Sequence, residues 1–323
     1  MSQPIGEAPP ARPPVLPQGI SGWVWLAIKL VVSGGILAAA LSRVDFAQVG
    51  EAIGRLAVGL YAAAIAALAA ATVLAALRWA LLTRRLAARI GPADGVGIYL
   101  TASFVGQVLP STLGVDAVRA WLASRKYKPF TQVVSGVMAD RAFGMLGLGV
   151  LILLGAPRLL FMGDIAIGEA AALAAGLLFV GAIAGFFVLR WFVRANVTGT
   201  LARLQEAAKS LLLAAASVEG AIGLALSVVV HALITLCVIM IAAGLAAPVS
   251  LLDGFTLIPA AMLIATIPVS INGWGLREGA MIACLGLAGV SASDAFVVSV
   301  LFGIGQFLVA LPGAIYWLTP RKP

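Results

Sequence analysis

The chain has 323 residues, 62% of them hydrophobic and only 11% charged, with a net charge of +8 and a mean hydropathy of +1.09. Soluble domains carry roughly 45–50% apolar and about 25% charged residues, so the composition excludes a soluble globular protein and predicts an all-α integral membrane protein. The positive balance does not point to nucleic acid, because Lys and Arg gather on the cytoplasmic side of membrane proteins. Two cysteines and one histidine are too few for a disulfide framework or a structural zinc site, and no cofactor or metal is expected.

Residues 1–20 hold six prolines and predict a disordered tail; residues 21–323 predict a single transmembrane domain. The first apolar run, 23–41, is long enough to span a bilayer and lacks the basic stretch that precedes a cleaved signal. Further runs follow at 57–82, 96–109, 136–156, 167–189, 220–244, 251–267, 276–290 and 293–318. The segments 96–109, 251–267 and 276–290 are short, as re-entrant pieces are. Val44–Leu56 and Leu201–Leu213 mix charges with apolar residues and read as interfacial helices. Gly181 and Gly185 form a GxxxG spacing, a sign of close helix packing.

Two stretches share one pattern. Leu109-Pro110-Ser111-Thr112-Leu113-Gly114 and Ile267-Pro268-Val269-Ser270-Ile271-Asn272 align without a gap, and each proline is followed nine residues later by an arginine, Arg119 or Arg277. Broken helices in corresponding positions of two halves mark the binding site of many transporters. Each proline ends a helix by removing a donor, and the Ser, Thr, Asn and Gly residues behind it suit a turn.

Charge decides the path of the chain. With a cytoplasmic N-terminus and each Pro-to-Arg stretch returning to its own side, the inner segments hold Arg12, Arg84, Arg85, Arg89, Arg125, Lys126, Lys128, Arg194, Arg203, Lys209, Arg321 and Lys322. The outer loops hold Arg43, Arg55 and Arg158. A full crossing at the first stretch would put Arg125, Lys126 and Lys128 outside, against the positive-inside trend. The expectation is therefore six spanning helices plus two re-entrant helical hairpins, both termini cytoplasmic, in inverted halves of roughly 21–156 and 157–323.

The hairpin tips carry the candidate site. A helix restarting near Gly114 puts Asp116 and Arg119 on one face, three residues apart; the second restarts near Trp274, just before Arg277 and Glu278. Free N–H groups at helix starts attract anions, and arginine suits phosphate. The candidate binding residues are Arg119, Arg277, Ser111, Thr112, Gly114, Ser270, Asn272, Gly273 and Gly275, with Pro110 and Pro268 as the helix breaks. Asp116, Glu278, Asp140 and Arg141 are candidates for gating or proton coupling; the alternative is that these charges pair and lock the fold. Arg78, near a helix end, suits snorkelling to the head groups or a site role. His231 is a core histidine or a proton carrier, and Gln107 and Gln306 are helix–helix hydrogen bonders or cavity lining.

These residues resemble a known family. Pro110 to Arg119, Ala139-Asp140-Arg141 and Pro268 to Glu278 together are similar to the flippase-like transmembrane domain of lysylphosphatidylglycerol synthases and their stand-alone relatives, over about Trp23 to Leu318. Where the family shows a Gly-Gly pair in each turn, this chain reads Gly114-Val115 and Asn272-Gly273. The resemblance implies movement of a lipid with a charged or phosphate head group across the plasma membrane of a prokaryote. The soluble aminoacyl-transfer domain of the full synthases has no counterpart here, so a transporter is expected rather than an enzyme. Membrane lipids are the expected partners. An accessory subunit that binds lipid- or polyprenyl-glycan-biosynthesis enzymes, and a membrane head-group transferase, remain as alternative functions.

Overall fold

A computed structural model describes residues 41–85, 89–107, 112–127, 130–159, 216–247, 249–267 and 273–318, with scattered positions in 24–39 and 181–213. The described residues are helical, with no strand among them. In chain order the helices are α1 (Phe46–Gly54), α2 (Val58–Leu82), α3 (Pro92–Gly106), α4 (Thr112–Ser124), α5 (Phe130–Leu159), α6 (Val218–Gly244), α7 (Leu251–Ala265), α8 (Leu276–Gly286), α9 (Ala292–Ala310) and α10 (Pro312–Leu318). The expected spans at 23–41 and 167–189 lie largely outside the described residues, as do the second interfacial segment and the N-terminal tail.

Local chemistry sets the helix ends. Asp45 caps α1, and Ser217, Ser250 and Ser291 cap α6, α7 and α9, each accepting a backbone N–H of the first turn. Pro92 opens α3 at a position where its missing N–H costs nothing, so this helix starts four residues before the apolar run. α8 stops at Gly286, four residues short of the apolar run, and the turn beyond it passes through Gly289 at φ +81°, a conformation that glycine takes without strain. Pro312 divides the last apolar run into α9 and α10.

Among the described residues, four helical stretches, Val58–Leu82, Phe130–Arg158, Val218–Gly244 and Ala292–Trp317, are long and apolar enough to cross a membrane. Large apolar side chains cover their outer faces, among them Val73, Leu154, Val229 and Phe307, which is the surface that lipid chains require. Buried alanines (Ala64, Ala71, Ala75) let α2 approach its neighbours closely, and its most extensive contact is with α6. At Gly147 of α5 an added Cβ would fall 2.7 Å from the Ser227 carbonyl carbon, so only glycine permits this crossing with α6. Gly181 and Gly185 have nothing within 4 Å of an added Cβ, so their spacing closes no contact among the described residues.

Element order repeats as long, short, short, long: α2 to α5, then α6 to α9. The packing partners repeat too. α2 touches α3 as α6 touches α7; α3 pairs with α4 as α7 pairs with α8; α4 leans on α5 as α8 leans on α9. Across the halves, α5 packs on α6 and α7, while α9 and its continuation α10 pack on α2 and α3.

The two short pairs meet different ends of α2. Beyond its C-terminal end, Lys126 lies 2.6 Å from Asp94 and the Gly91 N–H donates to the Tyr127 hydroxyl, which joins the two feet of α3–α4. At its N-terminal end the Ala57 N–H donates to the Gly244 carbonyl at 2.8 Å, and Arg55 meets Asp294 at 3.3 Å. These contacts hold the loops that flank α7–α8, and Arg158 fixes the α7 foot through Asp253 at 3.0 Å. At 15 residues, α3 and α7 are each about 22 Å long, short of the roughly 30 Å hydrocarbon thickness.

Candidate functional site

Arg119 stands two turns into α4, and Arg277 in the first turn of α8. Both are buried, at 3% and 5% exposure, and both line one cavity of about 430 Å³ to which each helix from α2 to α9 contributes. Its charged walls are Arg78, Arg119, Arg141 and Arg277 against Asp116 and Asp140.

On the first side the charges form a chain. Arg78 Nε donates to Asp140 Oδ1 at 2.8 Å, and Arg119 Nη1 to Asp140 Oδ2 at 2.6 Å. Arg119 Nη2 reaches Asp116 Oδ1 at 3.0 Å, the three-residue helical pairing that the sequence predicts. Arg141 Nη1 donates to Asp116 Oδ2. Among the described residues, three arginines thus share two aspartates, which leaves one positive charge over. Arg78 also donates to Ser227 Oγ on α6 at 2.9 Å, and His231 Nδ1 sits 2.8 Å from the Ser227 carbonyl. The Arg119 guanidinium lies over Trp79 and Tyr99, 4.9 and 5.2 Å from their centroids. Its Nε has no hydrogen-bond partner among the described residues.

The second side is self-contained. Glu278, with no exposed surface, accepts from the Gly275 N–H at 2.6 Å and caps the start of α8. Its other oxygen takes Arg277 Nη2 at 2.7 Å and the Ser299 hydroxyl at 3.1 Å. Arg277 Nη1 donates to Gln306 Oε1 at 2.9 Å, and its guanidinium lies over Trp274 at 4.7 Å. Gly273 and Gly275 hold φ of +83° and +82°, so this turn is built for glycine. Gly303 faces the guanidinium; an added Cβ would sit 2.5 Å from Arg277 Nη2.

Of the residues expected from sequence, Asp116, Arg119, Asp140, Arg141, Gly273 and Arg277 line the cavity; Gly114, Gly275 and Glu278 do not. Pro110, Ser111, Pro268, Ser270, Asn272 and the Thr112 side chain lie outside the described residues. Arg78 does not snorkel: at 4% exposure it is held inside by Asp140 and Ser227. Gln107 and Gln306 both line the cavity, as does His231.

The family model for the lysylphosphatidylglycerol synthase transmembrane region matches residues 26–313. The chain belongs to this family. No curated protein and no solved structure matched it. The match takes in α1 to α9 and both arginine-bearing turns, so the cavity lies wholly within the lysylphosphatidylglycerol synthase transmembrane region. Membership and the long apolar helices make this chain an integral membrane protein.

Proposed function

We propose that this protein translocates a lipid with an anionic, phosphate-bearing head group, held between Arg119 and Arg277. The observation that carries the reading is one cavity lined by four arginines and two aspartates. A charge at the bilayer centre costs about 2.5–3.5 kcal/mol even on insertion scales, so an unmatched buried positive charge calls for an anion. At about 430 Å³ the cavity suits a head group but not two acyl chains, which stay in the bilayer.

On this reading α3–α4 and α7–α8 are re-entrant hairpins entering from the cytoplasmic and outer faces. The Lys126–Asp94 contact supports the first, and the Arg55–Asp294 and Ala57–Gly244 contacts support the second. Together with two further spans at 23–41 and 167–189 they make inverted halves whose tips meet at the head group, as in many secondary transporters. On this reading both termini lie in the cytoplasm of a prokaryotic cell, an orientation that the positive-inside trend supports. Asp116, shared by Arg119 and Arg141, yields its arginines to the arriving phosphate.

The test is reconstitution into liposomes that carry phosphatidylglycerol labelled on its head group, with outer-leaflet label destroyed by an impermeant reductant. Wild-type protein should expose inner-leaflet label, and the Arg119→Gln/Arg277→Gln protein should fall to the rate of protein-free vesicles. Equal rates for wild type and the double variant, or recovery of the lipid with its head group covalently changed, would overturn the reading.

A further inference from the structure

We propose that the lipid enters and leaves the cavity sideways, through a mouth on the α5 side where Arg141 and Met145 stand; this rests on the translocation reading. A head group held in a cavity too small for its acyl chains needs an opening to the hydrocarbon, where those chains stay out of water. Met145 marks that opening. It lines the cavity and is 40% exposed, whereas every other lining residue is buried or half-buried. Its neighbour Leu146 and Met138, two turns earlier on the same face of the helix, are exposed as well. The outer face of α5 therefore runs into the cavity wall at Met145. α5 packs on both α4 and α7, while α4 and α7 touch each other at most marginally among the described residues.

The charge chain is graded towards this mouth. The side chain of Arg141 is 26% exposed and that of Asp116 14%, against 4% for Arg119. Arg141 stands one turn before Met145 on α5 and donates to Asp116, which also receives Arg119. Arg141 is thus the first cation that an arriving phosphate meets, and Asp116 links it to the arginine behind. The α9 side differs. There Phe104 packs against Phe307, with ring centroids 6.4 Å apart, and the lining residues of α9, Phe302, Gln306, Val309 and Ala310, are buried or half-buried.

The rim suits the part of a phospholipid that would occupy it. Val115 of α4, Met145 of α5 and Met262 of α7 line the cavity, and Met262 packs on Leu148 and Ile152 of α5. Methionine is unbranched and adaptable, so such a rim can reshape around a glycerol backbone and the first methylenes of two chains. With the phosphate at Arg141 and the glycerol at Met145, the chains lie along the exposed face of α5 without leaving the bilayer.

The experiment uses full-length protein in liposomes with head-group-labelled phosphatidylglycerol. Met145→Cys, in a cysteine-free background, is modified by a bulky reagent that forms a mixed disulfide, assayed, and then restored with a thiol reductant. Exchange should fall at least ~10-fold on modification, a barrier increase of about 1.4 kcal/mol, and return on reduction, so a folding defect does not account for the loss. Leu154→Cys is the control: Leu154 is exposed and lies nine positions further along α5, on the opposite face. It should exchange lipid at the wild-type rate before and after modification. Arg141→Gln should slow exchange several-fold, and Arg141→Lys, which keeps the charge, should retain most of it. Unchanged exchange by modified Met145→Cys, an equal loss at Leu154→Cys, or wild-type exchange by Arg141→Gln would overturn this entry route and leave translocation standing. If wild-type protein exchanges no lipid, the translocation reading itself falls.

Discussion

Arg78 and Asp140 are 62 positions apart in the chain and 2.8 Å apart in the fold. Their contact ties α2 to α5 and fixes the aspartate that also receives Arg119. Both side chains are almost wholly buried.

Asp140 is the carboxylate that Arg78 and Arg119 share, so removing it leaves buried positive charge unmatched, at a cost of about 3–5 kcal/mol. Asp140→Leu is therefore expected to lower the melting temperature of the purified protein sharply. Arg55→Leu breaks a pair whose arginine side chain is 50% exposed, and should cost at most about 1 kcal/mol. Equal melting of the two variants would show that Arg78 is not committed to Asp140.

The hairpin reading predicts a pattern of chemical labelling. Asp94→Cys and Lys126→Cys, made in a cysteine-free background, should react with an impermeant maleimide from one face of the membrane, and Asp294→Cys from the other. If the first pair of short helices were a full crossing, the Asp94 and Lys126 positions would label from opposite faces.

Gly303 tests the seat of Arg277. A methyl group there would meet the guanidinium at 2.5 to 3.1 Å, so Gly303→Ala should displace Arg277 from Gln306 and reduce lipid exchange several-fold. Gly149, with nothing within 4 Å of an added Cβ, is the control; Gly149→Ala should exchange lipid at the wild-type rate. Wild-type exchange by Gly303→Ala would mean that the Arg277 position has no bearing on movement.

Much of the site was legible in the sequence because its two arginines sit in duplicated local motifs. The proline, the turn formers and the arginine nine residues on are all near neighbours in the chain, as is the Asp116–Arg119 pairing, which follows from helix geometry alone. What was hidden depends on which helices touch. Arg78 lies four residues from the end of α2, where snorkelling is the ordinary expectation; only the packing of α2 against α5 and α6 puts Asp140 and Ser227 beside it. Likewise Asp116 meets Arg141 across 25 positions, and Arg277 meets Gln306 across 29. Glu278 pairs with its own neighbour because the positive-φ turn at Gly273 and Gly275 points the Gly275 N–H at it, a geometry that residue spacing does not reveal. The equivalence of the arginines, suggested by matched spacing, gives way to an unequal pair once their carboxylates are counted.

The most direct measurement is an experimental structure of the protein in nanodiscs containing phosphatidylglycerol. The account predicts phosphate density in the cavity within hydrogen-bond distance of Arg119 and Arg277, with the acyl chains leading out into the bilayer. A well-ordered cavity holding no phosphate, with lipid density confined to the outer faces of the long helices, would contradict it.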